Sequence, residues 1–97
     1  MSRYKNIWYG DVKKLIMKGY YLENTEIATR LREAMEEVEE QTLHLEDGEK
    51  RMKAVEEILI KRTKTYDGVA LEFHYHVNVV KHWVSQYINQ VGKTAGL

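Results

Sequence analysis

The stretch DGVALEFHYHVNVVKHWVSQY, residues 67–87, holds three of the chain's four histidines and one of its two tryptophans. A short apolar cluster comes first, then a polar corner at His74-Tyr75-His76, then a longer run whose apolar residues recur every three or four. Read as a β-strand, the corner turns His74 and His76 to one side, and His82 would join them as a third zinc ligand. No fourth ligand or acidic residue is placed to close that set, and His82 falls inside the helical repeat. Read as helices, the stretch accounts for more of its residues. Asp67 is an N-cap candidate, and Val69, Ala70 and Phe73 give a short helix its buried side. His74 and Tyr75 form a turn, and His76 stands where the next helix would be capped. Val80, Trp83, Val84, Tyr87, Ile88 and Val91 then form the stripe of a longer helix, ended by Gly92. A helical corner that binds no metal is the expectation.

A short helix, a turn of three or four residues and a longer helix make a helix-turn-helix. Small Ala70 suits the point where the two helices cross, because a large side chain there would push them apart. Val80 and Trp83, ten and thirteen residues later, are placed to pack back on the first helix. Glycine is common in this turn; His74 takes its place, and histidine adopts the left-handed conformation at modest cost.

Outward from the corner, the remaining chain also reads as helix. Trp8, Val12, Leu15 and Ile16, with Tyr4 before them, sit at helical spacing, and Gly19 is a C-cap candidate. Asn24 or Thr25 caps a second helix, with Glu26 in its first turn and Ile27, Leu31, Ala34, Met35 and Val38 as its apolar stripe. Asp47-Gly48-Glu49 is the next start signal, followed by a stripe of Met52, Val55, Ile58 and Leu59. The expected helices are roughly 3–18, 25–43, 48–62, 67–73 and 77–91. No β alternation rivals them, there is no internal repeat, and the absence of proline suits a helical chain. The fold class expected is all-α, a small helical bundle with a C-terminal helix-turn-helix. Its 97 residues form a single domain, 1–97, with N-terminal helices in 1–45 and the corner in 46–97. The stripes are core rather than cofactor boxes, so no cofactor is expected.

Composition narrows the function classes. With no cysteine, disulfides, thiol chemistry and thiolate metal sites are excluded. The opening MSRYKNIWYGDVKK has no unbroken apolar run, so neither a signal peptide nor a membrane span is expected. Ser85 and His82 lie three apart, yet no glycine-rich elbow or oxyanion loop accompanies them, and no enzyme is expected. The zero net charge hides a pattern. Arg3, Lys5, Lys13, Lys14 and Lys18 face only Asp11 in residues 1–22, whereas residues 23–60 are strongly acidic. Residues 61–97 are basic again through Lys61, Arg62, Lys64, Lys81 and Lys93. Such ends fit a polyanion while the middle faces water, although a merely solvated acidic helix gives the same pattern.

TYDGVALEFHYHVNVVKHWVSQYINQV, residues 65–91, resembles the helix-turn-helix of region four in bacterial sigma factors. The longer stretch LEDGEKRMKAVEEILIKRTKTYDGVALEFHYHVNVVKHWVSQYINQVGKTAG, residues 45–96, resembles phage late-gene transcriptional regulators of the RinA/ArpU-like group. Asp47-Gly48-Glu49 with Arg51, the Thr65-x-x-Gly68-x-Ala70 element, Trp83 and Val91-Gly92-Lys93 carry that likeness.

The resemblance implies a sequence-specific DNA-binding regulator of phage or prophage genes, located in the cytoplasm of a bacterial host. In such a motif the second helix lies in the major groove and its first turns meet base edges. Those positions are Val77, Asn78, Val79, Lys81, His82 and Ser85. Asn78 would pair bidentately with adenine, and Val77 or Val79 would touch a thymine methyl. Lys81, Lys61, Arg62 and Lys64 suit phosphates, which position the protein without specifying sequence. The alternative is a helical adaptor that contacts RNA polymerase or another phage protein. A homodimer, through Trp8 and its neighbouring tyrosines, would double a weak basic footprint and cover apolar surface.

Overall fold

Helix α1 (Ser2–Met17) opens the chain and ends at Gly19, whose φ of 72° lets the backbone reverse into a single 3-10 turn, Tyr20–Leu22. Helices α2 (Glu26–Leu43), α3 (Gly48–Val55), α4 (Tyr66–Phe73) and α5 (Val77–Ala95) follow, and α3 continues into a π-helical turn at Glu56–Ile60. This computed structural model describes the backbone of residues 2–96 and the side chains of residues 10–96. The readings placed on the side chains of Tyr4 and Trp8 lie outside the described residues. Among the described residues there is no strand, and the fold is a small all-helical bundle.

Helix α5 is the hub, packing against all four of the others. Its stripe of Val80, Trp83, Val84, Tyr87, Ile88, Val91 and Ala95 is buried. Facing it are Val12 and Ile16 of α1, and Leu31, Ala34, Met35 and Val38 of α2. Met52, Ala54 and Val55 of α3, Ile58 and Leu59 of the π turn, and Val69 and Ala70 of α4 complete the core. Burying each large aliphatic side chain in this set stabilises the fold by about 1.5–3 kcal/mol. No polar residue is buried among the described ones. The wide π turn lets the consecutive residues Ile58 and Leu59 both face inward before Lys61 N–H closes it on the Glu56 carbonyl at 2.7 Å.

The caps explain where the helices begin. Thr25 Oγ1 accepts from the Ala28 N–H at 3.0 Å and starts α2. Both arginines of α2 are spent on backbone carbonyls: Arg30 reaches Ala95 at 2.7 Å, and Arg32 reaches Tyr21 at 2.8 Å. Neither arginine is in an ion pair with the glutamates on the exposed side of α2 among the described residues.

Four details differ from the sequence expectations. Thr65, not Asp67, caps α4: its hydroxyl accepts from Gly68 N–H at 3.0 Å, leaving Asp67 in the first turn, where a carboxylate favours the helix dipole. Helix α5 runs past Gly92, which is buried within it, and ends at left-handed Gly96. Ile27 is 45% exposed because Ala28 takes the inward position at the start of α2. Asp47 precedes α3 in the left-handed region and caps nothing with its side chain; its carboxylate is engaged elsewhere.

Candidate nucleic-acid interface

The α4–α5 corner is built by local chemistry. Helix α4 ends on His74, at φ 62° and ψ 37°, and the Tyr75 N–H returns to the Ala70 carbonyl at 2.9 Å. That bond from a residue beyond a left-handed position closes the helix in the manner of a glycine cap. His76 then starts α5, its Nδ1 accepting from the Asn78 N–H at 3.1 Å. Ala70 is buried at the same corner as Val80.

Tyr75 fastens the corner to the rest of the bundle. Its ring meets that of Trp83 edge-on, with centroids 4.9 Å apart and planes at 71°. Its hydroxyl donates to Asp47 Oδ2 at 2.9 Å, so the turn is tied to the start of α3. That bond to the carboxylate, with some desolvation, holds the Tyr75 hydroxyl above its ordinary pKa. The Asp47 signal in the sequence is therefore a side-chain anchor rather than a cap.

The first turns of α5 present Asn78, Lys81 and His82 to solvent, with Ser85 half-buried one turn further on. Val79 is 36% exposed, whereas Val77 is half-buried and packs against the core. Helical spacing thus puts Asn78, Lys81, His82 and Ser85 on one face of α5, with Val79 exposed at its flank and Val77 packed at the edge of the core. The Lys81 ammonium lies 5.9 Å from the centre of the Tyr66 ring, at the start of α4.

The basic residues between α3 and α4 are placed less openly. Lys64 pairs with Glu57 at 3.2 Å and with Glu72, and Glu72 also meets Lys53 at 3.6 Å. The Glu57 oxygen in that pair is covered and makes no well-directed hydrogen bond. The hydrogen bond to Lys64 holds the Glu72 carboxyl below its ordinary range, and that bond, followed by the ion pairing with Glu57, raises Lys64. Lys61 pairs with Glu56 at 3.2 Å. Arg62, left-handed at φ 56°, is exposed and makes no ion pair among the described residues.

The histidines stand apart in role: His74 closes α4, His76 caps α5, and His82 sits on the outer face. Among the described residues no three His, Asp or Glu side chains gather as a metal site, and no helix is long and apolar enough to cross a membrane. The sequence marks Arg51 of α3 only as part of the family likeness and assigns its side chain no contact; its Nη1 donates to Gln86 on α5 at 3.2 Å and its guanidinium lies 5.8 Å from the Trp83 ring. Its position four residues after Asp47 and four before Val55 was the available sign that it shares their face. Searches against protein families, curated proteins and solved structures find no match to this chain.

Proposed function

We propose that this protein is a sequence-specific DNA-binding transcriptional regulator of phage or prophage genes that uses α5 as its reading helix. The observation that carries the reading is the α4–α5 corner itself. A three-residue turn closed by left-handed His74 and capped by His76 leaves Asn78, Lys81 and His82 exposed on the first turns of α5. A helix entering the major groove uses those turns. Asn78 is the base reader, suited to adenine, and Val79 offers a methyl contact to thymine. Lys81 and Arg62 are the phosphate anchors. Lys61 and Lys64 contribute less, because carboxylates already neutralise them.

A specific feature favours a second reading, an adaptor that contacts RNA polymerase or another phage protein. Leu71 on the outer side of α4 is 79% exposed, and it stands beside a Glu72 cluster without net positive charge. Titration of labelled duplex from the neighbouring genomic region, at two salt concentrations, separates the two. A regulator binds with an affinity that falls steeply with salt. Absence of duplex binding at low salt leaves the adaptor.

A further inference from the structure

Away from the outer face of α5, a half-open groove of about 250 Å³ runs between the end of α2, α3 and the inner edge of α5. Its apolar wall is made by Val38, Val55, Trp83 and Tyr87, and Arg51 and Gln86 stand at its polar side. Three glutamine amides line it in all, Gln41 and Gln90 being the others. Among the described lining residues Arg51 is the single charged one. Burial pushes the Tyr87 hydroxyl above its ordinary pKa, so that wall stays neutral.

Arg51 is incompletely satisfied. Its Nη1 donates to Gln86, its plane lies near the Trp83 indole, and its Nε–H is covered without any acceptor. A buried donor lacking a partner is an unfavourable state that an added acceptor relieves. The acceptor matched to a guanidinium is a carboxylate, which takes two parallel N–H bonds. Nε itself is covered, so such a group pairs first with the guanidinium at the groove's polar side and takes the Nε–H only if the flexible Arg51 stem shifts over the indole.

We propose that this groove is a binding site for a small organic carboxylate with an aromatic or branched apolar body. The acid group pairs with Arg51, the body lies against Trp83, Val38 and Val55, and the amides accept or donate around it. The volume is below the roughly 300–1,000 Å³ of drug-sized sites, which restricts the body to about one ring system. The site rests on α2, α3 and the inner edge of α5, and it stands whether or not the outer face of α5 reads DNA.

The test uses phenylacetate and its uncharged counterpart phenylacetamide, added to isotopically labelled full-length protein and followed by NMR. Phenylacetate should shift the Trp83 indole N–H and the Arg51 Nε–H saturably, with a Kd on the order of 1 mM. Phenylacetamide should bind at least about tenfold more weakly, since it forms no charge-assisted pair. Arg51→Gln, which removes the cation, should remove that difference. Equal binding of acid and amide, shifts located off the groove, or no shift at roughly ten times the expected Kd each overturns the proposal. The comparison of acid with amide on the unaltered protein decides the matter even if the variant does not fold.

Discussion

Gly48 and Thr42 stand in backbone contact where α2 hands over to α3. A Cβ on Gly48 would overlap the Thr42 carbonyl oxygen and fall 2.8 Å from the Leu43 Cα. Both obstacles are backbone, so neither rotates out of the way. Gly48→Ala is therefore expected to destabilise the protein by about 1–3 kcal/mol or more, because the two helices must separate. Gly10, inside α1, has nothing within 4 Å of the same added atom. There alanine should stabilise by about 0.5–1 kcal/mol through helix propensity alone. Urea unfolding midpoints of the two variants should move in opposite directions, and equal destabilisation would refute the close packing of Gly48.

His74 carries the left-handed conformation that ends α4. A side chain with a Cβ is disfavoured there by roughly 1–2 kcal/mol, and glycine is not. His74→Gly should raise the thermal midpoint, and His74→Val should lower it, since a β-branched residue tolerates that region worst. A rise with valine would mean that the turn is not left-handed in solution.

Acid should loosen the joint between the π turn and α4. The Glu72 carboxyl is held below its ordinary range, chiefly by Lys64, so the folded state favours its ionised form. The stability this lends is complete above the ordinary glutamate value and is lost as pH falls through the lowered folded value. Lys64 is raised by the same partners, so its share is complete below the ordinary lysine value and is lost as pH rises through the raised one. Glu72→Gln should flatten the acid side of the melting-temperature profile. An unchanged acid slope in that variant would show that the cluster adds nothing, as is common for exposed pairs.

Much of this fold was legible in the sequence because its signals are local and periodic. The stripes from Leu31 to Val38, Met52 to Leu59 and Val80 to Val91 each bury as their spacing requires. His74 and His76 act as turn and cap within two residues of their positions. What escaped depends on distance in the chain. Thr65 and Asp67 both suit a cap, and only the three-dimensional path of the loop selects Thr65. Gly92 looked like a terminus, but it is buried inside α5 and the helix continues past it. The pairing of Lys64 with Glu57 and Glu72 depends on folding two separate segments together. So does the contact of Arg51 with Gln86, thirty-five residues away.

Asn78 and Lys81 should contribute to DNA binding in different ways. Both side chains are exposed on α5 and neither belongs to the core, so their replacement leaves the fold in place. Asn78→Ala removes a bidentate base contact and should weaken the specific site by about 1–3 kcal/mol, with little effect on random duplex. Lys81→Ala removes one phosphate contact. To make that contact the ammonium must leave its place over Tyr66, which attracts it only weakly at an exposed site. Its loss should weaken specific and random binding alike and reduce the slope of log affinity against log salt by about one. Lys64→Ala should leave that slope nearly unchanged, because Glu57 and Glu72 already neutralise the charge. Fluorescence anisotropy with specific and scrambled duplexes over a salt series distinguishes the three. Should Asn78 and Lys81 variants both match the wild-type protein on a duplex that it does bind, the reading face lies elsewhere on the bundle.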